Sequence, residues 1–394
     1  MIKADAAGGE RSALARQPQI LFRCDASRLI GSGHVMRSRT LARELKRQGQ
    51  EVAFLCRRLP GDLIGLLDQE FEVMVLPPPR EEQRETLMQA AAANRRLYAN
   101  WLGVSQWQDA RECLAALEQQ KQASISWIVV DHYGLDRIWQ REMLIGLKGS
   151  SVHTRLLVVD DLADRHHLAD ILLDQNRSGN GGASRYRELC PEKCQMLLGP
   201  HHALLGDEYA RWQQFVPHRR HLGRILIYFG GGETSKLTAD TITALNRPSC
   251  HHFHLDVVHH LPADPQGLVM EAATQRPFTT VHQHLPSLAG LIARADLAIG
   301  AAGSTTWERV CLGLPSLLLI LDENQAMVAE EAVERGAALC LGRELDGERL
   351  VQTILGELPP MLEVMSRACQ ELCDGQGVSR MIQAMEQCGQ PFYE

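Results

Sequence analysis

The feature that most constrains the fold is a repeated alternation of short apolar runs with amphipathic stretches. SWIVVD (126–131) and TRLLVVDD (154–161) are both rich in apolar residues and end in Asp. Strands buried on both faces give such runs, which are typical of a parallel sheet covered by helices. The same reasoning predicts strands at Ile20–Arg23 and Val52–Leu55 and helices at 35–48, 81–101 and 105–120.

A second series of the same kind follows the polar, proline-containing stretch 211–223, which is typical of a linker. RILIYFGGGETS (224–235) has the pattern of a strand and a glycine loop, and 295–321 that of strand, loop, helix and strand. A chain of 394 residues is also long for one core. The sequence therefore predicts an α/β fold of two doubly wound, Rossmann-like domains facing a cleft, 18–215 and 216–394. Ligands of such folds bind at the carboxyl ends of the strands.

The bulk properties exclude several classes of partner. A net charge of −7 without a basic stripe argues against nucleic-acid binding. The chain has no apolar run long enough to cross a bilayer, which predicts no membrane insertion. Residues 1–17 lack the apolar core of a secretory signal and are interpreted as a flexible extension. Eleven cysteines without such a signal favour reduced thiols and a cytoplasmic location.

Two stretches resemble metal sites, and neither supports one. Cys190 and Cys194 form a C-x3-C pair, but no second pair follows at zinc spacing. The histidines of HHFHLDVVHH (251–260) would alternate between the two faces of a strand. The sequence therefore predicts no metal and no cofactor.

A histidine behind two closely spaced glycines marks the first strand-to-helix turn. In DASRLIGSGHVMRS (25–38), Gly31 and Gly33 leave room for a ligand, and His34 begins the helix. Imidazole accepts a proton near neutral pH, so His34 is a candidate general base beside a diphosphate leaving group. The alternative is that His34 only caps or packs the helix.

The loop GAAGSTTWE (300–308) is the corresponding turn of the second series. Small residues let backbone N–H groups approach an anion, and Ser304 and Thr305 add hydroxyls where the helix dipole favours a phosphate. Glu308, one turn later, could accept both hydroxyls of a ribose. The alternative is a capping box, in which Glu308 answers a Ser or Thr cap.

Three further loops are weaker candidates for binding a ligand. FGGGET (229–234) is a second glycine loop, or else a plain turn. Asn324 and Gln325 follow an apolar strand, and amides that both donate and accept suit sugar hydroxyls or N-acetyl groups; the alternative is an Asn helix cap. Tyr133 in VVDHYG (129–134) either packs on a substrate or completes the core. Most acids of 158–176 are interpreted as turn and cap residues.

Together these stretches resemble one family, the UDP-2,4-diacetamido-2,4,6-trideoxy-β-L-altropyranose hydrolases of the pseudaminic acid pathway. The motifs that carry the resemblance occur in the family's order between about residues 20 and 330: RCDASRLIGSGHVMR, VVDHYG, VVDDLADR, ADILLDQN, LLGPHHALLGDEY, ADLAIGAAGSTTWE and ENQA. One departure is the loop Gly231-Gly232-Glu233-Thr234, where the family usually has Gly-Gly-Ser/Thr-Asp.

The resemblance implies a glycosyltransferase-B-like fold, related to the glucosaminyltransferase that makes lipid II. It implies a UDP-sugar as the small-molecule partner and an inverting hydrolysis without a metal. His34 matches the catalytic histidine and Tyr133 the active-site tyrosine. The family's UDP-binding stretch is matched by Ser304, Thr305 and Glu308. Its sugar-side amide pair is matched by Asn324 and Gln325.

Two other functions fit the same motifs. A glycosyltransferase would use an acceptor hydroxyl in place of water, and the fold does not separate the two reactions. The absence of a basic amphipathic helix in the first domain weighs against a lipid-linked acceptor. A non-catalytic UDP-sugar-binding module would bind without turnover. The sequence does not specify the oligomeric state.

Overall fold

The computed structural model describes residues 19–80, 98–120, 124–148, 152–177, 179–230, 234–259, 264, 266–283 and 285–388. The predicted extension 1–17, most of the predicted helix 81–101 and the loop residues 231–233 lie outside the described residues.

The first domain is built on a seven-stranded parallel sheet with the order β3-β2-β1-β4-β5-β6-β7. Its strands are β1 Gln19–Cys24, β2 Glu51–Arg57, β3 Glu72–Leu76, β4 Ile125–Asp131, β5 Arg155–Val159, β6 Ile171–Asp174 and β7 Gln195–Leu198. The strands β1 and β4 are buried along almost their whole length, because helices cover both faces of the sheet.

The second domain is built on a six-stranded parallel sheet with the order β10-β9-β8-β11-β12-β13. Its strands are β8 Arg224–Tyr228, β9 His254–Val258, β10 Thr279–His282, β11 Leu297–Ala301, β12 Ser316–Leu319 and β13 Ala338–Gly342. Both sheets therefore have the doubly wound order, and the predicted fold class is confirmed.

Helices alternate with the strands through both domains. They are α1 Gly33–Arg47, α2 Ile64–Leu67, α3 Gln106–Gln119, α4 Arg137–Gly146, α5 Gly179–Tyr186, α6 Asp207–Gln213, α7 Ser235–Ala244, α8 Leu268–Gln275, α9 Ala289–Arg294, α10 Thr305–Cys311, α11 Ala326–Glu334, α12 Gly347–Gln352, α13 Leu362–Leu372 and α14 Gly377–Gln387. Short 3₁₀ turns lie at Ala99–Leu102, Pro200–His202, Pro248–Cys250 and Glu323–Gln325, and a π-helical turn at Thr353–Glu357. None of the described helices is long and apolar enough to cross a bilayer.

Two helices pack in the core of the domain other than the one to which the predicted limits assign them. Tyr209 of α6 packs in the core of the second domain. The last helix, α14, returns to the first domain, where Val378, Met381 and Met385 join the core formed by β1 and α1. The predicted limits 18–215 and 216–394 do not anticipate this return, and they stay a prediction.

In each sheet the strand order reverses between the two central strands. In the first sheet β1 and β4 are neighbours, and in the second β8 and β11 are neighbours. The crossovers from these strands run in opposite directions, so a crevice opens at their carboxyl ends. The loop between β1 and α1, the end of β4 and the loop between β11 and α10 all lie at these two points.

Candidate functional site

His34 lies in the first turn of α1, directly after β1 and a tight turn. Gly31 has a φ of +78°, which glycine adopts without strain, and its N–H donates to the carbonyl of Ser27. Asp25 anchors the start of the loop, because its Oδ1 accepts from the backbone N–H of Arg57 and from Arg23 Nη1, both at 2.7 Å. These bonds fix the path of the chain into α1.

The imidazole of His34 contacts a carboxylate at the end of β4. The distance from His34 Nδ1 to Asp131 Oδ1 is 2.6 Å, and His34 is 6% exposed. Among the described residues, Nε2 has no hydrogen-bond partner. An imidazole whose Nδ1–H donates to a carboxylate presents the lone pair of Nε2, so this pair can act as a base.

Arg37, one turn further along α1, holds Asp131 in its charged form. Arg37 Nε and Nη2 donate to the two oxygens of Asp131, each at 2.7 Å. Burial by itself would raise the pKa of Asp131, but the charge and hydrogen bonds of Arg37, followed by those of His34, hold that pKa well below its usual range. Asp131 is therefore an ionised partner for the imidazole.

An aromatic cluster of Tyr98, Trp101 and Tyr133 covers His34. The ring of Tyr133 meets His34 edge to face, with centroids 4.5 Å apart, and stacks on Trp101 at 5.5 Å. The Tyr133 hydroxyl donates to Asp161 Oδ2 at 2.5 Å. Tyr133 therefore belongs both to a packed cluster and to the surroundings of the histidine, and the two interpretations of it are compatible.

His132, between Asp131 and Tyr133, has a structural role. Its Nδ1 accepts from the N–H of Gly134 at 2.9 Å, and its Nε2 lies 3.4 Å from Asp25 Oδ2. Burial lowers its pKa to about 3, so the ring stays neutral. His132 is therefore engaged in holding the turn at the end of β4.

The start of α10 lies opposite the start of α1 across the cleft. Ser304 is exposed at the N-cap, and a Cβ built on Gly33 would lie 3.6 Å from Ser304 Oγ. The Ser304 hydroxyl makes no capping hydrogen bond, so the capping-box interpretation is wrong. The N-termini of two helices are thus adjacent, and helix N-termini attract anions such as a diphosphate.

Glu308 lies on the first turn of α10 and is partly buried. Its Oε2 accepts from the hydroxyl of Tyr209 at 2.7 Å. Burial raises the pKa of Glu308 to about 7, against the lowering effect of the Tyr209 hydrogen bond. The carboxyl group therefore changes charge near neutral pH.

The segment containing Asn324 and Gln325 contacts the aromatic cluster. The Tyr98 hydroxyl donates to Asp322 Oδ1 at 3.0 Å and accepts from the N–H of Asn324 at 3.1 Å. Asp322, and not Asn324, caps the short helical turn, so the helix-cap interpretation of Asn324 is wrong. Asn324 Oδ1 is buried without a partner among the described residues, whereas Gln325 Oε1 accepts from the N–H of Leu321.

The structure thus brings Gly31, Gly33, His34 and Tyr133 together and places Ser304 opposite them. The sequence analysis missed the residues that complete the site: Arg37, Tyr98, Trp101, Asp131, Asp161 and Asn176. Asp131 ends a quoted motif at the carboxyl end of a central strand, which is a signal that could have identified it. In the described part of the chain, no group of three or more His, Cys, Asp or Glu is arranged to hold a metal ion.

Comparison with known proteins supports the fold and a relation to nucleotide-sugar proteins. Residues 260–376 match the model of the glycosyltransferase family 28 C-terminal domain. The spore coat polysaccharide biosynthesis protein SpsG of Bacillus subtilis is 25% identical over 210 residues, which are 52% of this chain and 62% of that protein. The UDP-2,4-diacetamido-2,4,6-trideoxy-beta-L-altropyranose hydrolase of Campylobacter jejuni is 28% identical over 227 residues, 58% of this chain and 65% of that protein.

The matches to these two proteins span less than two thirds of their own length. The fold comparison covers more of the chain: the crystal structure of Acinetobacter baumannii MurG superposes with a TM-score of 0.59 at 15% identity, over 94% of this chain and 99% of that one. The chain therefore has the two-domain architecture of glycosyltransferase-B proteins, with a family 28-like region in its second domain and distant similarity to a UDP-sugar hydrolase.

Proposed function

We propose that this protein hydrolyses UDP-2,4-diacetamido-2,4,6-trideoxy-β-L-altropyranose to UDP and 2,4-diacetamido-2,4,6-trideoxy-L-altrose, with inversion at the anomeric carbon. The observation that carries the proposal is the buried His34–Asp131 pair, 2.6 Å apart, at the start of α1. The similarity to the Campylobacter hydrolase supports the choice of sugar.

In this reaction His34 acts as the general base. Its Nδ1–H donates to Asp131, and Nε2 takes a proton from water as the water oxygen bonds to C1 of the sugar. The bond from C1 to the bridging oxygen breaks, and UDP leaves with the electron pair. Asp131, kept ionised by Arg37, stabilises the imidazolium until its proton passes to solvent.

The remaining site residues have binding roles in this proposal. The N-terminus of α1, with Gly31 and Gly33, and the start of α10, with Ser304 and Thr305, hold the diphosphate. Glu308 accepts the hydroxyls of the ribose. Asn324 and Gln325 lie on the sugar side. The Oδ1 of Asn324, which has no partner within the described ranges, accepts from an acetamido N–H of the sugar.

A glycosyltransferase reaction is the second candidate, and the family 28 match favours it. The same base would then deprotonate an acceptor hydroxyl. The cover over His34 favours water instead, because the 6% exposed imidazole lies under Tyr133 and near Trp101. A bulky acceptor would have to displace these rings, whereas water would not.

The proposal is tested by incubating the UDP-sugar in ¹⁸O-water without an acceptor and following UDP release by mass spectrometry. We expect rapid release with the label in the sugar, since attack at C1 breaks the C–O bond. Label in UDP would mean attack at phosphorus and would contradict the role of His34. Release only after an alcohol is added would identify a transferase.

A second prediction concerns Glu308 and the binding of uridine, which has no phosphate that titrates. If the Glu308 carboxylate accepts the ribose hydroxyls, its ionised form binds better, so we expect uridine affinity to rise as the pH increases through about 7. Calorimetric titration between pH 6 and 8 measures this.

Two variants serve as matched controls for that measurement. Glu308→Gln should bind uridine with little dependence on pH, because the amide does not ionise. Tyr209→Phe removes the hydrogen bond that lowers the pKa of Glu308, so the rise in affinity should move to higher pH. An unchanged pH dependence in Glu308→Gln would exclude Glu308 as its source.

A further inference from the structure

A chain of buried hydrogen bonds links the second domain to the first. Trp307 Nε1 on α10 donates to Asn176 Oδ1, just after β6, at 2.9 Å. Asn176 Nδ2 donates to Asp161 Oδ1 at 2.7 Å. Asp161 Oδ2 in turn accepts from Arg37 Nη1 at 2.8 Å. All four side chains are buried, and Trp307 is 0% exposed.

The same network of hydrogen bonds continues to His34, the proposed base. Arg37 donates through Nε and Nη2 to Asp131, and Asp131 contacts His34 Nδ1. The guanidinium is a rigid planar fork, so a shift of Asp161 pulls on its one bond from Arg37 and thereby moves the two bonds that Arg37 makes to Asp131. Each link from Trp307 to His34 is therefore a direct side-chain hydrogen bond.

Asn176 is the one amide side chain in this hydrogen-bond network, and both its oxygen and its nitrogen are held by hydrogen bonds. Its carbonyl oxygen accepts from Trp307, and its amino group donates to Asp161, so turning the amide over would break both bonds. Its backbone N–H also donates to Asp174 Oδ1 at 2.9 Å. A side chain held in this way transmits a change in the position of α10 instead of absorbing it.

Trp307 lies close to the residues expected to bind the diphosphate. It lies three positions after Ser304 and two after Thr305. A ligand that fixes the position of α10 therefore also fixes the position of the indole N–H. The Arg177–Glu334 ion pair also crosses between the domains, but it is partly exposed and does not contact the histidine. Among the described residues, the Trp307–Asn176 bond is the side-chain hydrogen bond of α10 that leads to the base.

We propose that Asp161 and Asn176 are positioning residues that orient His34 only when α10 is seated against the first domain. This rests on the proposed function, and it adds a coupling between the UDP-binding helix and the water-activating pair. Binding of the nucleotide diphosphate would then favour the arrangement in which Nε2 of His34 faces the anomeric carbon. Hydrolysis would be suppressed while the domains are apart.

The proposal is tested with Trp307→Phe, which removes the donor to Asn176 and keeps an aromatic ring. We expect kcat to fall by about tenfold to a hundredfold, as for a small misplacement of a catalytic group, with KM and uridine affinity within about twofold. Trp139→Phe is the matched control, because Trp139 is equally buried and donates to Asp109 at 2.9 Å, a bond that is not part of the network from Trp307 to His34. It should leave kcat within about twofold.

A double-mutant cycle separates transmission from general damage to the core. In an Asn176→Leu background the link is already broken, so adding Trp307→Phe should lower kcat no further, whereas independent effects would multiply. Multiplied effects, or a Trp307→Phe enzyme as active as Trp139→Phe, would overturn the proposal. Melting temperatures establish that all the variants are folded.

A measurement that needs no turnover distinguishes failure of this proposal from failure of the proposed function. In ¹⁵N-tryptophan-labelled protein, Asp131→Asn should shift the indole N–H resonance of Trp307, which is assigned by its loss in Trp307→Phe. The resonance of Trp212, which is 43% exposed on α6 and belongs to no bond of this network, should not shift. An unshifted Trp307 resonance would overturn the coupling whatever the enzyme catalyses. A shift in a protein that does not hydrolyse the UDP-sugar would retain the coupling and exclude the hydrolase.

Discussion

Replacing His34 by alanine is expected to lower the rate of UDP-sugar hydrolysis by about a hundredfold to ten-thousandfold, the range for loss of a general base. The effect should be in kcat, because the imidazole accepts its proton only as water attacks. Uridine affinity should change little, since the nucleoside is assigned to the second domain. Initial rates of UDP release and a uridine titration measure the two quantities.

The expected loss is large because the described residues next to His34 offer no substitute for its imidazole. His132 is the other histidine at the end of β4, but it is buried, its Nδ1 already accepts from the N–H of Gly134, and its pKa is lowered to about 3. Asp131 has both oxygens engaged by Arg37. His166→Ala is the matched control, because His166 is exposed in the same domain and should tolerate substitution. A His34→Ala protein with normal turnover would remove His34 from the mechanism.

The fold could be predicted from the sequence because the information for it is local. Each central strand is buried on both faces, so its apolar run is visible without knowledge of its neighbours, as in β1 and β4. The glycine turn before His34 is equally local. The packing of α14 against the first domain cannot be predicted locally. The sequence of an amphipathic helix shows that it has an apolar face but not which sheet that face will cover.

The partners of His34 could not be predicted in this way. Arg37 joins Asp131 and Asp161, which are 94 and 124 positions away along the chain, and no local pattern specifies such pairs. The neighbouring acids Asp160 and Asp161 illustrate the difficulty. Asp160 accepts from the N–H of Ala163, as a turn residue does, whereas Asp161 points into the site and contacts Arg37, Tyr133 and Asn176.

Replacing Arg37 by methionine is expected to destabilise the first domain by about 3–5 kcal/mol, the usual cost of removing one partner of a buried ion pair. Arg37 is 7% exposed and lies between two buried carboxylates, so its loss leaves Asp131 and Asp161 without their cation. Arg37→Lys is the matched variant: it keeps the charge but cannot bond both carboxylates in the same plane. Urea unfolding at pH 7 should give the highest free energy of unfolding for the wild type, a lower one for the lysine variant and the lowest for the methionine variant.

The pH dependence of that destabilisation identifies its cause. In the wild type the pKa of Asp131 is lower in the folded than in the unfolded protein, so its contribution to stability is complete above the unfolded pKa, near 4, and is lost as the pH falls below it. Without Arg37, only His34 still opposes the raising effect of burial, so the pKa of Asp131 rises and its ionised form is less compatible with folding at pH 7. The gap in unfolding free energy between wild type and Arg37→Met should therefore narrow on acidification from pH 7 towards pH 4. A gap of constant size would mean that the methionine variant is destabilised by altered packing, and that Arg37 does not hold Asp131 in the charged form that the proposed mechanism requires.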